Sequence, residues 1–240
     1  MTETKIRRGD IFNYALLAVC FIAILTLGIL SGQKWFKMLP ALVSLAVMLL
    51  NSRVNRLGFL VGGLNALLYA VGYFAEGLYG LAIQASVVSA PVQFVTFARW
   101  KKRAYGTATV LKKLSVKWEI VLFAATAAVW TAAFFVIRGL SGANQSALDV
   151  TCLVFGTAAT FLTMFALMET LAFQIVNIAS SLAIWCVQLA QGEFAEITYF
   201  IGALFSAYCT VVLCVNWVKL YKRQCAAATK KQHIENNAAT

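Results

Sequence analysis

Residues 11–30 read IFNYALLAVCFIAILTLGIL, twenty residues without a charge. A helix of this length, rising 1.5 Å per residue, spans the roughly 30 Å hydrocarbon core of a bilayer. Runs of the same kind recur along the chain, in which 61% of the 240 residues are hydrophobic and only 12% are charged. This composition predicts a membrane protein and excludes a soluble domain, a disordered chain and a disulfide scaffold.

The apolar runs predict an all-α polytopic membrane protein with eight transmembrane helices. They lie at about 11–30, 36–50, 57–75, 78–98, 118–137, 147–166, 171–190 and 194–218. Membrane-spanning strands are excluded because the runs lack the alternating pattern of a barrel. With a cytoplasmic N-terminus, 17 of the 20 lysines and arginines fall on the cytoplasmic side, which predicts that both termini are cytoplasmic. Two alternatives stay open: the first run is a cleaved signal peptide, or the short second run, with Pro40, does not cross fully.

The titratable residues argue against catalysis. Five of the six cysteines lie inside predicted spans without metal-ligand spacing, and the single histidine, His233, lies in a polar tail. We therefore expect no enzymatic activity, no metal and no cofactor. No acidic residue falls at mid-membrane depth, where ion-driven carriers usually hold one, so passive movement of a solute is favoured. The basic segment 99–117 is interpreted as an orientation signal, and no nucleic-acid partner is expected.

The polar residues follow the same order twice. The third run contains Asn65, Glu76-Gly77 separates it from the fourth, and Trp100-Lys101 follows the fourth. In the same order, the seventh run contains Asn177, Gly192-Glu193 separates it from the eighth, and the eighth closes on Trp217-Val-Lys219. Runs two to four then pair with runs six to eight, and the fifth run is a linker. Because one helix separates two three-helix units, both units have the same orientation, which predicts parallel repeats in a 3+1+3 arrangement behind one N-terminal helix.

This repeat divides the chain into five segments. They are an N-terminal basic segment with an extra transmembrane helix (1–35), a first three-helix repeat with the basic loop (36–117), a linker helix (118–146), a second three-helix repeat (147–223) and a disordered cytoplasmic tail (224–240).

Helical spacing places polar and aromatic residues on common faces. Asn65 and Tyr69 share one face, and Asn177, Ser181 and Trp185 share another. Gln93 in the fourth run and Trp100 just after it lie along one side of that helix. Amides at bilayer depth are costly without partners or water, so these stripes predict an aqueous path on which a flat ring could stack. The alternative is that the polar groups only join helices, and the Gly58-x-x-x-Gly62 pair is interpreted as a helix-packing notch.

Several short motifs resemble the PnuC-type family of bacterial vitamin and nucleoside transporters. They are Gly63-Leu-Asn65-Ala-Leu-Leu-Tyr69, Gly77-Leu-Tyr-Gly80, Pro91-Val-Gln93-Phe94, Trp100-Lys-Lys102, Leu148-Asp149, Ile175-Val-Asn177-Ile178 and Trp217. The resemblance implies SWEET-like parallel repeats and import of nicotinamide riboside, or a related vitamin or nucleoside, across the inner membrane by facilitated diffusion with trapping by phosphorylation. It also implies that Gln93, Asn177 and nearby aromatic residues bind the substrate.

One departure from the family pattern leaves the solute open. Nicotinamide riboside carriers resemble one another in a Trp-x-x-Trp-x-x-x-Asn run, whereas here Thr170 and Phe173 stand ahead of Asn177. Phe173 can still stack on a ring and Thr170 cannot. Thiamine, riboflavin or a deoxynucleoside are alternative solutes, and a membrane scaffold or regulatory subunit is the alternative function. The partners implied are a small-molecule substrate and the lipid bilayer, and a homo-oligomer is compatible with the sequence.

Overall fold

The computed structural model describes residues 8–75, 84–141, 146–191 and 197–238. These residues are mostly helical, which confirms the all-α class, and they form eight α-helices. The helices are α1 (Arg8–Leu30), α2 (Trp35–Ser52), α3 (Leu57–Ala75), α4 (Ala90–Lys102), α5 (Val116–Ser141), α6 (Ser146–Met164), α7 (Thr170–Ala190) and α8 (Ile197–Ala238). The Gly-acid turns predicted at 76–77 and 192–193 lie outside the described residues.

A widened, π-helical turn at Gln84–Ser89 leads directly into helix α4. Pro91 follows directly, near the start of the regular α-helix. Proline has no backbone N–H and cannot donate to the carbonyl of the preceding turn, so an irregular turn before it is physically reasonable. A π-turn within a helix is often found at functional sites, and this one precedes Gln93 by a single helical turn.

Six helices form a closed ring, in which each helix packs against the next. The order around the ring is α2, α3, α4, α6, α7, α8 and back to α2. Helix α1 packs outside this ring against α2 and α8, and α5 packs outside it against α6. The ring therefore encloses a space that all six helices border.

Five helices are long and apolar enough to span a bilayer, which makes the chain a multi-pass membrane protein. The candidate spans are Ile11–Leu30, Val116–Val136, Ala147–Met164, Thr170–Ala190 and Ile197–Lys230. Two shorter apolar helices cover Met38–Ser52 and Leu57–Gly72. The number of crossings predicted from the sequence, eight, stays a prediction.

The basic loop between α4 and α5 is more ordered than a simple connector. It contains a two-stranded antiparallel hairpin, β1 (Ala104–Tyr105) and β2 (Ala108–Thr109), which the sequence did not predict. The turn is allowed by Gly106, whose φ is +62°. The loop also bonds to distant elements: Arg56 N–H donates to Thr107 O (3.1 Å) and Met168 N–H to Lys112 O (2.8 Å). We call the end of the bundle that carries this loop the hairpin end, and the other the far end.

The tail that we expected to be disordered is instead helical as far as Ala238, because α8 continues past the apolar span. The Gln224 side chain anchors it to the hairpin loop, since its Nε2 donates to Thr109 O and its Oε1 accepts from Leu111 N–H, both at 2.9 Å. Alanine, lysine and glutamine are strong helix formers, which explains why the polar composition did not end the helix.

Candidate functional site

A cavity of about 260 Å³ lies at the hairpin end inside the ring of six helices. We call it the hairpin-end cavity. Every ring helix contributes to its wall. The polar and aromatic lining residues are Asn51, Asn55, Phe59, Gln93, Thr96, Trp100, Thr160, Thr163, Thr170, Gln174, Asn177 and Trp217.

Two further cavities adjoin the first. A far-end cavity of about 390 Å³ shares Gln174 and Asn177 with it, and a lateral cavity of about 360 Å³ between α2, α3 and α4 shares Gln93. The lateral and far-end cavities share Ser44 and Tyr69. Pockets for small ligands usually measure about 300–1,000 Å³, a range that includes the lateral and the far-end cavity and lies just above the volume of the hairpin-end cavity. They are also large enough to hold water.

Three amide side chains stand where the cavities meet. Gln93 on α4 and Gln174 and Asn177 on α7 are each partly buried. None of these three amides has a hydrogen-bond partner among the described residues. All three line the hairpin-end cavity, and none of their polar atoms is fully buried. Each amide offers two donors and a carbonyl acceptor. Together they form an unsatisfied polar surface that faces a cavity, as a ligand-binding site requires.

An aromatic cluster closes the hairpin-end cavity toward the loop. Trp100 and Trp217 are each only 1% exposed, and their ring centroids are 5.9 Å apart. Phe59 packs edge-on against Trp100 at 4.7 Å. The two indoles differ in one respect: Trp100 Nε1 donates to Thr163 O at 2.9 Å, whereas Trp217 Nε1 is buried without a partner in the described structure.

Two other buried polar atoms around the hairpin-end cavity also lack partners among the residues described. They are Asn51 Oδ1 and Thr170 Oγ1. A buried polar group without a hydrogen bond costs about 1–3 kcal/mol. Such groups in the wall of one cavity favour its occupation by water or by a ligand that carries hydroxyl or amide groups.

The far-end cavity has its own aromatic pair. Trp185 on α7 stacks on Tyr199 of α8, with centroids 5.1 Å apart and ring planes within 10°. Ser181 lies in the same wall. The structure therefore brings the predicted stripe of Asn177, Ser181 and Trp185 to one cavity, although the Trp185 face that meets Tyr199 is already covered.

Asn65 and Tyr69 line the lateral cavity, where the Asn65 amide nitrogen is engaged between helices and Asn65 Oδ1 is buried without a partner among the described residues. Asn65 Nδ2 donates to Ser44 Oγ at 2.9 Å, and Ser44 Oγ lies 3.2 Å from Tyr69 Oη. Asn65 is 5% exposed. Asn65 and Tyr69 on α3 thus contact Ser44 on α2 and join the two helices. This is the role that the alternative interpretation of the polar stripes predicts.

Phe173 does not line any of the three cavities, which differs from the stacking role expected of it. The residue is fully buried and stacks on Phe123 at 5.1 Å and packs against Phe155 at 5.4 Å. It lies on the face of α7 that is turned toward α5 and α6. Its neighbour Thr170, for which we expected no stacking, lines the hairpin-end cavity instead.

The glycine pair of α3 faces amide side chains. A Cβ on Gly62 would lie 3.2 Å from Gln93 Oε1, and a Cβ on Gly58 would overlap Asn51 Oδ1. The predicted notch thus admits polar side chains from α2 and α4 into close contact with α3.

The described walls of the three cavities contain neither a carboxylate nor a cationic side chain. No cluster of three or more potential metal ligands occurs in the described part of the chain. What the site offers is hydrogen bonding by amides and hydroxyls together with aromatic faces. This chemistry suits the recognition of a polar ring compound.

Sequence reasoning missed several lining residues. Gln174 lies three positions before Asn177, and this spacing on a helix could have identified it. Trp217 was noted as the repeat partner of Trp100 without being placed in the site. The threonines of α6 gave no signal, because threonine is common in membrane helices as a bond to its own backbone, and Thr160 and Thr163 do bond to Gly156 O and Ala159 O.

Comparisons with known proteins identify the family and the fold of the chain. A family model described as "Nicotinamide mononucleotide transporter" matches residues 34–221. A protein named "Nicotinamide riboside transporter PnuC", from Neisseria mucosa, is 23% identical over 202 residues, covering 81% of this chain and 76% of the relative. A solved structure titled "Crystal structure of the Vitamin B3 transporter PnuC" matches with a TM-score of 0.68 and 21% identity, covering 88% of this chain and 92% of the other.

Proposed function

Because the chain belongs to the nicotinamide mononucleotide transporter family, we propose that it carries nicotinamide riboside or a related vitamin or nucleoside across the inner membrane by facilitated diffusion. The name of the relative from Neisseria mucosa supports this substrate class. Trapping of the solute by phosphorylation after entry completes the proposal, since a passive carrier alone only equalises concentrations.

The observation that carries the proposal is the trio of unpaired amides where the cavities meet. Gln93, Gln174 and Asn177 would bind a carboxamide or ribose hydroxyls, and the indoles of Trp100 and Trp217 would provide a face for the ring. Ser181 and Trp185 would line the route at the far end. Asn65 and Tyr69 would shape the lateral wall while holding α2 and α3 together.

The absence of charge from the described cavity walls bears on the choice of solute. Nicotinamide riboside and thiamine each carry a positively charged ring, and a cation over the face of an aromatic ring is attracted by its quadrupole. In this proposal Trp100 and Trp217, which line the hairpin-end cavity, would supply such a face, and amide oxygens would solvate the charge. We therefore place these cationic rings ahead of riboflavin and the deoxynucleosides.

The contacts between helices support the proposed 3+1+3 arrangement with eight crossings. If α2–α4 and α6–α8 are the two repeats, the ring joins them at two equivalent places, α4 against α6 and α8 against α2. Rocking of one unit against the other around the central amides would alternately open the two ends of the path. In this proposal both termini are cytoplasmic, and so is the hairpin end.

Uptake into liposomes tests the proposal. Purified protein should equilibrate labelled nicotinamide riboside across the membrane without any ion gradient, and liposomes with the Asn177→Leu variant serve as the matched control. Strict dependence on an imposed proton or sodium gradient would contradict the passive part.

Thermal stabilisation by ligands separates a carrier from a scaffold. A solute at 100 times its Kd stabilises the folded state by about 2.7 kcal/mol. A panel of nicotinamide riboside, thiamine, riboflavin and deoxynucleosides should contain at least one solute that raises the midpoint of unfolding. No shift with any of them, together with no uptake, would favour a scaffold.

A further inference from the structure

The two asparagines that occupy equivalent places in the proposed repeats have different surroundings. Asn65 on α3 is tied to Ser44 on α2 by a hydrogen bond of 2.9 Å. Asn177 on α7 has no side-chain partner in the described part of the chain and lines two cavities. The helix that packs against α7 in the way that α2 packs against α3 is α6.

Gly156 of α6 lies directly against the Asn177 side chain, and Cys152 of the same helix contacts only the backbone carbonyl of Asn177, to which its Sγ donates at 3.7 Å. A Cβ on Gly156 would lie 3.0 Å from Asn177 Oδ1, 3.3 Å from Cγ and 3.5 Å from Nδ2. Asn177 follows Asn65 by 112 residues, and Gly156 follows Ser44 by the same 112. Both the sequence offset and the contact with the asparagine therefore indicate that Gly156 in the second repeat occupies the position of Ser44 in the first.

We infer that Gly156 is a positioning residue that keeps the amide of Asn177 free for the transported solute. This inference rests on the proposed function. In the first half the hydroxyl of Ser44 accepts a hydrogen bond from the Asn65 amide, and this bond links the two helices. In the second half glycine provides neither a hydroxyl to bond the amide nor a Cβ to displace it.

The physical argument has two parts. First, an amide already bonded to a serine has less donor and acceptor capacity for a ligand. Second, glycine is a poor helix former in the interior of a helix, so its place in the middle of α6 needs another reason, and the contact with Asn177 supplies one. The site is therefore asymmetric: one half holds the helices together, and the other presents its amide to the cavity.

The sharpest test is the Gly156→Ser variant. It should recreate in the second half the bond that Ser44 makes in the first. We expect the midpoint of thermal unfolding to rise, while the affinity for nicotinamide riboside falls about tenfold or more, the effect of losing one good hydrogen bond. A merely structural role for Gly156 would instead lower the midpoint and leave the affinity unchanged.

A double-mutant cycle identifies the partner. If the new serine acts through the amide, its effect on the unfolding midpoint should disappear when Asn177 is replaced by Leu. The same effect in both backgrounds would overturn the inference. The Gly156→Ala variant adds crowding without a hydroxyl, so it should weaken binding without raising the midpoint as the serine does, and unchanged binding would also overturn the inference.

Gly72→Ser is the matched control. Gly72 lies in α3, and a Cβ there would meet Phe36 O at 3.3 Å, a similar degree of crowding that involves no cavity amide. Its affinity for the solute should equal that of the wild type.

Two results separate this inference from the proposed function. If the wild-type protein binds no member of the panel, the proposed function is overturned. If the wild-type protein binds a solute and the Gly156 variants bind it with the same affinity, this inference alone is overturned.

Discussion

Replacing each of the two buried tryptophans by phenylalanine should have unequal effects on stability. Trp100 and Trp217 are equally buried, contact one another and line the same cavity. Trp→Phe removes the same atoms from either position, so the packing loss is similar in the two variants. The two residues differ in their indole N–H groups. The N–H of Trp100 donates to Thr163 O, whereas the N–H of Trp217 has no partner among the described residues.

The difference can be estimated from these contacts. Loss of the Trp100 hydrogen bond costs about 0.5–1.5 kcal/mol, and Thr163 O keeps a second donor, the N–H of Ala166. Removal of the unpaired Trp217 N–H instead relieves a penalty of about 1–3 kcal/mol. Trp100→Phe should therefore be less stable than Trp217→Phe by about 1.5–4.5 kcal/mol. For a chain of this size, that is a difference of roughly 3–18 °C in the midpoint of thermal unfolding.

The assay is circular dichroism at 222 nm on both variants in lipid nanodiscs, at one scan rate, because unfolding of membrane proteins is often irreversible. The comparison is made without ligand, so that no solute satisfies the Trp217 N–H. Equal midpoints, or a lower midpoint for Trp217→Phe, would refute the assignment of one paired and one unpaired indole.

Three further experiments test other parts of the structure. Asn65→Leu should lower the unfolding midpoint by about 2–4 °C, since it breaks one hydrogen bond between helices, while Asn177→Leu should leave it nearly unchanged and abolish uptake; the reverse order would contradict the roles given to them. Gln224→Leu removes two hydrogen bonds to the hairpin loop and should speed tryptic cleavage of that loop several-fold; cleavage at the wild-type rate would show that the bonds do not hold the loop. Cys186 and Cys225 are both exposed, so the labelling is done in a Cys186→Ser background. There Cys225 should react with an impermeant maleimide in inside-out vesicles only, and the additional Cys225→Ser substitution should abolish that reaction; reaction in right-side-out vesicles would contradict a cytoplasmic C-terminus.

The helices were predictable where an apolar run stands between clear breaks. The predicted third run coincides with α3, and the seventh begins one residue after α7 does. In both cases the cost of exposing backbone polar groups to lipid fixes the whole run as helix. The end of α8 was not predictable in this way, because the chain beyond the apolar segment is polar and only a bond such as that of Gln224 to the hairpin loop shows that it stays attached.

The site was predictable in part for a related reason. Gln93 and Asn177 were identified because burying an amide within an apolar run costs free energy unless the amide finds a hydrogen-bond partner, water or a ligand. Periodicity, however, shows which residues share a face and not which neighbour that face meets. Phe173 was therefore expected in the path although it packs toward Phe123, and Gln174 was missed although it shares the cavity with Asn177.

The widened turn at Gln84–Ser89 has a consequence for how this wall of the path can be altered. Deleting one residue from it, such as Val87, would let the turn close into regular α-helix. A π-turn holds one more residue than the matching α-turn, so the chain on either side of the deletion would keep its orientation. Gln93 and Trp100 would still line the hairpin-end cavity, and only the part of the lateral wall formed by Ala85 and Ser89 would change. Loss of a single codon would thus reshape one wall locally and spare its neighbour, a change that no exchange of side chains would produce.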